Sequence, residues 1–248
     1  MKNYILNSAL VLVLLVLGAS CKKTTKDPKS GTCMPDPINL NASYLFDNSL
    51  TEGSGKSAAG TAYGTSYGLG RDGSANGALL FNGTNAYATL PNVMDVQQKS
   101  ISLWFNVKTF PTGSAPSNDL GYILTLDHKY LNFGYVTAYV SGAGGSKILT
   151  IGIGSTDAEL KVSLASENVW NHLVFTQNGY NVNIYLNNTK ILSKTVTSYY
   201  KSTDATTNAF ILGTNRNLLN RYLDGRIDDF KFYNVALSDC QVDYLYKN

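Results

Sequence analysis

Beyond residue 40 the chain alternates short apolar runs with clusters of Gly, Asn, Asp and Ser, and no helical period is sustained before the last ten residues. Runs of Val, Ile, Phe, Tyr, Leu and Thr at period two predict half-buried strands, and the polar clusters predict the turns between them. The expected strands are "SYLFD", "GALLFN", "AYATL", "SISLWFNVK", "GYILTLD", "NFGYVTAYV", "KILTIGI", "WNHLVFTQ", "NVNIYLN", "KILSKTV", "AFILG" and "GRIDDFKFY". Asn178 and Gly179 predict a two-residue hairpin turn, because such turns demand positive φ, and Asn187 with Asn188 predicts another. Ser238 stands three residues before Gln241, with Val242 and Leu245 on one face, which predicts a short capped helix at the end. Many short strands, one closing helix and no internal repeat describe one all-β domain.

The alternation also sorts side chains by face. In "NFGYVTAYV", Tyr135, Thr137 and Tyr139 share one face while Val136, Ala138 and Val140 share the other. In "KILTIGIG" the apolar face is Leu149, Ile151 and Ile153, and glycines on the other leave room for something to lie close to the sheet. In "NVNIYLN", Val182, Ile184 and Leu186 read as inward, with Asn183, Tyr185 and Asn187 outward. Tyr135, Thr137, Tyr139, Asn183 and Tyr185 are therefore candidate ligand-binding residues, outward rings beside amides and hydroxyls. The competing reading is that these tyrosines are ordinary strand formers in a chain with 17 of them. Trp170 and His172, in "WNHLVF", read as packed residues, whereas Trp104 shares its face with the polar Ser102 and Asn106. Asp228 and Asp229 stand side by side within the last strand. The alternation puts Asp228 with Phe230 and Phe232, facing inward, and Asp229 toward solvent.

Composition changes the picture mainly at the N-terminus. A basic start, an apolar segment from Ile5 to Leu17 too short to span a bilayer, and small residues before Cys21 predict a secretory leader. "LGASC" resembles a bacterial lipobox, with Gly18 at the usually aliphatic position, so residues 1–21 are expected to be a lipoprotein signal ending at a lipidated Cys21. Residues 22–37, polar and rich in proline, read as a tether, and 38–248 as the folded domain. Residues 1–29 hold five lysines and one aspartate, more than the whole chain's net +3, so the remainder is slightly acidic and implies no nucleic-acid surface. The expected location is an exported bacterial cell envelope, with the membrane met through the lipid anchor only. With Cys21 assigned to lipid, Cys33 and Cys240 are an even pair in an oxidising compartment and are expected to form a disulfide.

The order "YLFDNSLTEGSG", "ALLFNGTNAYATLPN", "SISLWFNVK", "WNHLVFTQNGYNVNIYLNN", "FILG" and "LDGRIDDFKFYNVALS" resembles the laminin-G-like branch of the concanavalin A-like lectin/glucanase superfamily. The resemblance implies a jelly-roll sandwich of two antiparallel sheets. Hydrolases of that superfamily carry Glu-x-Asp-x-x-Glu or a shorter variant on one strand, and this chain does not; its nearest pair, Asp157 and Glu159, reads as a solvated turn. Since glycoside cleavage generally needs two facing carboxylates, no enzyme activity is expected. His128 and His172 have no nucleophile or metal ligand at a recognisable spacing.

The resemblance also implies a structural calcium ion between an acid after the first strand and one in the last. Here Asp47, Asn48 and Asp228 are the candidate ligands, with Asn82 a possible addition, and Glu52 stands where relatives often have a second acid. The alternative is that these acids cap loop N–H groups without metal. The expected function is a lipid-anchored, lectin-like module that binds a polysaccharide or glycan. An adhesion or protein-assembly domain is the alternative, and a polysaccharide hydrolase or lyase a distant third.

Overall fold

The computed structural model describes residues 33–91, 97–112, 120–126, 136–153, 158–197, 209–215 and 221–248, and Cys33–Asn248 form one compact unit. A 3-10 turn, Pro37–Asn39, leads into β1 (Leu40–Tyr44), followed by the short β2 (Thr61–Tyr63) and β3 (Ser66–Gly68). Next come β4 (Ala78–Asn82), β5 (Tyr87–Pro91), the long β6 (Gln98–Thr109), β7 (Gly121–Leu126), β8 (Val136–Ser141), β9 (Ile148–Ile153) and β10 (Ala158–Ser163). The chain closes with β11 (Trp170–Asn178), β12 (Asn181–Leu186), β13 (Thr189–Thr195), β14 (Ala209–Leu212), β15 (Asp224–Tyr233) and α1 (Asp239–Lys247).

Among the described residues these strands form two antiparallel sheets. Sheet A runs β13-β12-β11-β6-β15-β4-β3, with β1 also on β15, and sheet B runs β10-β9-β8-β7-β14-β5-β2. This is the expected all-β jelly-roll sandwich. Its core is the set of inward residues the alternation picked out: Ile101, Leu103 and Phe105 from β6 meet Leu149, Ile151 and Ile153 from β9 and Val136, Ala138 and Val140 from β8. Phe210 of sheet B packs against Phe230 and Phe232 of sheet A at ring distances of 5.0 and 5.3 Å. The outer face of sheet A carries a second apolar cluster, in which Val242 and Leu245 of α1 cover Val174, Tyr185 and Tyr233. The predicted capping box is present, Ser238 and Gln241 satisfying each other's backbone N–H.

Three strands went unpredicted. β2 and β3 are three residues each, too short to show a period, and β10 begins in "AELKVS", whose charges masked its alternation. Glu159 thus lies on a strand, exposed, rather than in a turn. The β11–β12 hairpin is also displaced by one residue. Asn178 pairs with Asn181, so the loop is Gly179–Tyr180 with positive φ at Gly179 alone. Asn187 and Asn188 both adopt positive φ and make the expected turn.

Candidate functional site

The two aspartates of β15 sit at a break in sheet A. The first half of β15, Asp224 to Ile227, pairs with β4, and the second half, Phe230 to Tyr233, pairs with β1. Between them the register against β6 slips from Asp228↔Trp104 to Lys231↔Ser102, and Asp229 takes φ +50°. This bulge corrects the expected alternation. Ile227 and Phe230 both reach the core while Asp228 stands opposite Trp104, on the outer side, because the inserted residue reverses the parity between them. Asp228 Oδ2 accepts the Arg71 N–H at 2.9 Å, and Asp229 Oδ2 accepts from Arg71 Nε at 2.6 Å. Arg71 also donates to the carbonyl of Asn248 and lies 5.0 Å above Trp104. The pair of acids therefore pins the loop that crosses the gap between β1 and β4.

The expected metal ligands divide. Asp47 and Asp228 line one open cleft of about 200 Å³, with Leu45, Arg71, Asp72, Ser74, Gly77 and Asp229. Burial, opposed by the Arg71 N–H and reinforced by the neighbouring Asp229, pushes Asp228 up to about 7, so a cation in the cleft would stabilise its charged form. The donor chemistry fits calcium, a hard ion that takes carboxylate, carbonyl and water oxygens. Among the described residues no three His, Cys, Asp or Glu side chains gather to hold a metal, so part of any shell must come from backbone and water. Asp229 is already engaged by Arg71 and, at 3.5 Å, Lys231. Asn48 adopts φ +51° and donates its N–H to Asn76 O.

Asn82 does not join this group. It pairs with Asp224, four residues from Asp228 and so roughly 13 Å along the strand, and its Oδ1 accepts from Thr84, Asn85 and Ala86 to close the β4–β5 turn. Glu52 is likewise a loop organiser: its two oxygens accept N–H groups of Ser43, Ser54, Gly55 and Ser57. Although burial opposes it, those bonds hold its carboxyl below the usual range.

The expected glycan residues do not share one surface. Thr137 and Tyr139 are on the outer face of sheet B, whereas Asn183 and Tyr185 are on that of sheet A. Tyr185 is moreover buried, covered by α1 and donating its hydroxyl to Asp239 Oδ1 at 2.6 Å. Period two correctly put it off the core face, but a helix more than fifty residues later took that face. Tyr135, Asp157, His128 and Cys21 lie outside the described residues.

Sheet B gathers a set of rings the sequence did not assemble. Tyr139 is directly opposite Tyr122 and stacks on it at 5.0 Å, and its hydroxyl donates to Glu159 Oε1 at 2.7 Å. Burial, then Glu159, pushes the Tyr139 hydroxyl well above the usual phenol range. Arg221 stands 5.9 Å over Tyr122. On β2 and β5, Tyr63 and Tyr87 stack at 4.4 Å. Leu124, Leu212 and Ala88 are level across β7, β14 and β5, so all four tyrosines stand near the same end of the strands. The row from Tyr63 to Tyr139 crosses four strand spacings, roughly 19 Å. Thr125 and Thr150, on the same outer face, are buried, whereas the rings, Thr89, Thr137, Glu159 and Lys161 remain partly or fully accessible.

On sheet A, His172 Nε2 lies 2.8 Å from Ser102 Oγ. Both side chains are buried, and the imidazole Nδ1 has no hydrogen-bond partner, whereas an activating base is ordinarily oriented by a third group. Trp104, His172 and Tyr246 form a stack, at 4.8 and 5.5 Å from the indole. Trp170 is not a core residue but half-buried on the outer face, with the Arg226 guanidinium 5.2 Å above its ring.

A laminin G family model, described as the concanavalin A-like lectin/glucanases superfamily, matches residues 82–243, well over half of the chain. The chain belongs to the concanavalin A-like lectin/glucanases superfamily. Among solved structures it is similar to domain 4 of AbnA, a GH43 extracellular arabinanase from Geobacillus stearothermophilus, in complex with arabinotriose. That likeness has 23% identity and a TM-score of 0.63, over 84% of this chain and 98% of that domain. It is also similar to the Botulinum neurotoxin serotype D binding domain, at 13% identity and TM-score 0.60 over 85% of this chain and 51% of that one. Trypanosoma rangeli sialidase matches at 12% identity and TM-score 0.63, over 86% of this chain and 33% of the sialidase. These likenesses are of fold, and the superfamily fold serves enzymes and binding domains alike. No curated protein matches the chain in sequence.

Proposed function

We propose that the chain is a lipid-anchored, non-catalytic carbohydrate-binding module of a bacterial cell envelope. The observation that carries the reading is the row of Tyr63, Tyr87, Tyr122 and Tyr139 across the outer face of sheet B, with Thr137 and Thr89 beside it. Sugars offer apolar C–H faces to aromatic rings and hydroxyls to threonine, and a row of roughly 19 Å is matched by several sugar units of an extended polymer. The similar arabinanase domain, described with arabinotriose, supports the same class of ligand. The described strands of sheet B carry one carboxylate, Glu159, whereas glycoside cleavage generally takes two. The apolar segment and small residues before Cys21 support a leader and anchor, and the Cys33–Cys240 disulfide supports export. A structural calcium held by Asp47 and Asp228 belongs to the same proposal; it would tie the loop after β1 to β15 by neutralising both carboxylates.

Affinity electrophoresis on soluble polysaccharides, with a broad glycan array, tests the reading. Each of Tyr122→Ala and Tyr139→Ala should weaken retention by about three- to tenfold, in keeping with ~1 kcal/mol per ring contact. Full retention in both variants would move the site off sheet B, and an array without a single bound glycan would favour the adhesion alternative.

A further inference from the structure

The outer face of sheet A holds a polar group that its own fold does not satisfy. Asn106 is fully buried, and neither its side-chain oxygen nor its side-chain nitrogen has a hydrogen-bond partner. Buried amides are almost always paired, since an unmade bond in a dry site carries the full desolvation penalty. Its cross-strand neighbours are Trp170 on β11 and Arg226 on β15. These two reach toward each other over the intervening strand, the guanidinium 5.2 Å from the indole centroid. The amide thus lies beneath a ring and a cation that are themselves half-buried. Arg226 is held there by the stack and by an exposed bond from Nη1 to Leu69 O at 2.9 Å, an arrangement that a ligand can displace. Leu69, whose carbonyl Arg226 binds, and Val169, next to Trp170, add exposed apolar surface, at 56% and 43% exposure.

We infer that Trp170, Arg226 and Asn106 form a second sugar-binding subsite, on the opposite face of the sandwich from the tyrosine row. Arg226 swings off the indole, a sugar ring stacks in its place, and two of its hydroxyls meet the Asn106 amide, one as donor and one as acceptor. A sugar hydroxyl pair suits the amide, which offers one acceptor and one kind of donor. The Arg226 guanidinium keeps donors for a further sugar oxygen. The inference rests on the reading of the chain as a carbohydrate-binding module, and it gives one molecule two faces with which to bridge polymer strands.

The full chain is run on affinity gels containing soluble arabinan, β-glucan or mannan, and its tryptophan emission is followed during titration with the polymer that retains it. Asn106→Ala should weaken retention at least threefold while leaving the melting temperature equal or higher, since it removes an unpaired amide. The emission change of the native protein should vanish in Trp170→Phe, the chain having two tryptophans in all. Retention and emission unchanged in both variants, or a lower melting temperature in Asn106→Ala with binding intact, would make the amide structural and overturn the subsite while the module reading stands. Absence of retention of the native protein on every polymer would remove both. Concentration-dependent self-association lost in Trp170→Phe, without any glycan effect, would assign the patch to protein contact and also overturn it.

Discussion

His172 is 1% exposed, between Trp104, Tyr246 and Ser102, with Lys231, Arg71 and Asp229 as its charged neighbours. Burial first, then the positive charges of Lys231 and Arg71, lowers its pKa from 6.5 to about 3. The folded protein therefore keeps this imidazole neutral while the unfolded chain protonates it. Between about pH 6.5 and 3 the unfolded state binds more protons, so stability is complete above this window and falls as pH drops through it. At about 1.4 kcal/mol per unit the loss reaches several kcal/mol. In His172→Gln, a plot of melting temperature against pH should be flatter over that window; an acid limb as steep as in the native protein would mean that other groups govern it. The motif "WNHLVF", as the resemblance presents it, implies a packed and satisfied histidine; the histidine is packed, but Nδ1 has no hydrogen-bond partner between β6 and α1.

A single strand, β15, changes partners half-way, and its bulge is where the two acids leave the ladder. The strand's entry is as constrained as its middle: a Cβ at Gly225 would collide with the carbonyl of Asn106, so "LDGRIDD" needs its glycine for close backbone approach. At the bulge, Asp228 is a buried carboxylate facing a cleft that Asp47 also lines. If calcium fills it, a chelator should lower the melting temperature of the native protein by about 5–10 °C from a state near a hundred times the Kd, and should leave Asp228→Ala unmoved. Identical melting curves for the native protein with and without chelator would reject the ion and leave the acids as anchors for Arg71 and its loop. The adjacent carboxylates were legible in the sequence as something that must hold a neighbour. Which way each points was not, because one residue with positive φ reverses every later assignment on the strand.

Across the whole molecule, the disulfide between Cys33 and Cys240 joins positions 207 residues apart, at a Cα separation of 5.1 Å. It fastens the start of the folded unit to α1, which is also held by Tyr185 and Lys190 on Asp239 and by Asn188 on Asp243. Closing a loop of this length removes chain entropy worth about 5 kcal/mol in the unfolded state. Reduction, or Cys240→Ser, should lower the melting temperature by about 10 °C or more, and non-reducing mass spectrometry should find no free thiol at either position. Two alkylated cysteines in the native protein, or a melting point indifferent to reductant, would contradict it.

The sequence by itself determined most of the elements and the all-β class: strand alternation, turn residues and the Ser238–Gln241 cap act over a few neighbouring positions, so they are written locally and could be read locally, while the sandwich was expected from the resemblance that the ordered motifs carry. With Cys21 set aside for lipid in the reading of the leader, Cys33 and Cys240 were also legible as a pair. Tertiary structure alone decided which outward faces remain available. Tyr185 and Tyr139 read identically along their strands, yet α1 covers the first, and the second joins Tyr122 from a neighbouring strand to open a row that continues through Tyr87 and Tyr63. Asn82 was placed with the acids by motif and separated from them by register. A site is made by residues distant in sequence meeting across strands, and the period of a strand says which side a residue takes but not what will arrive there.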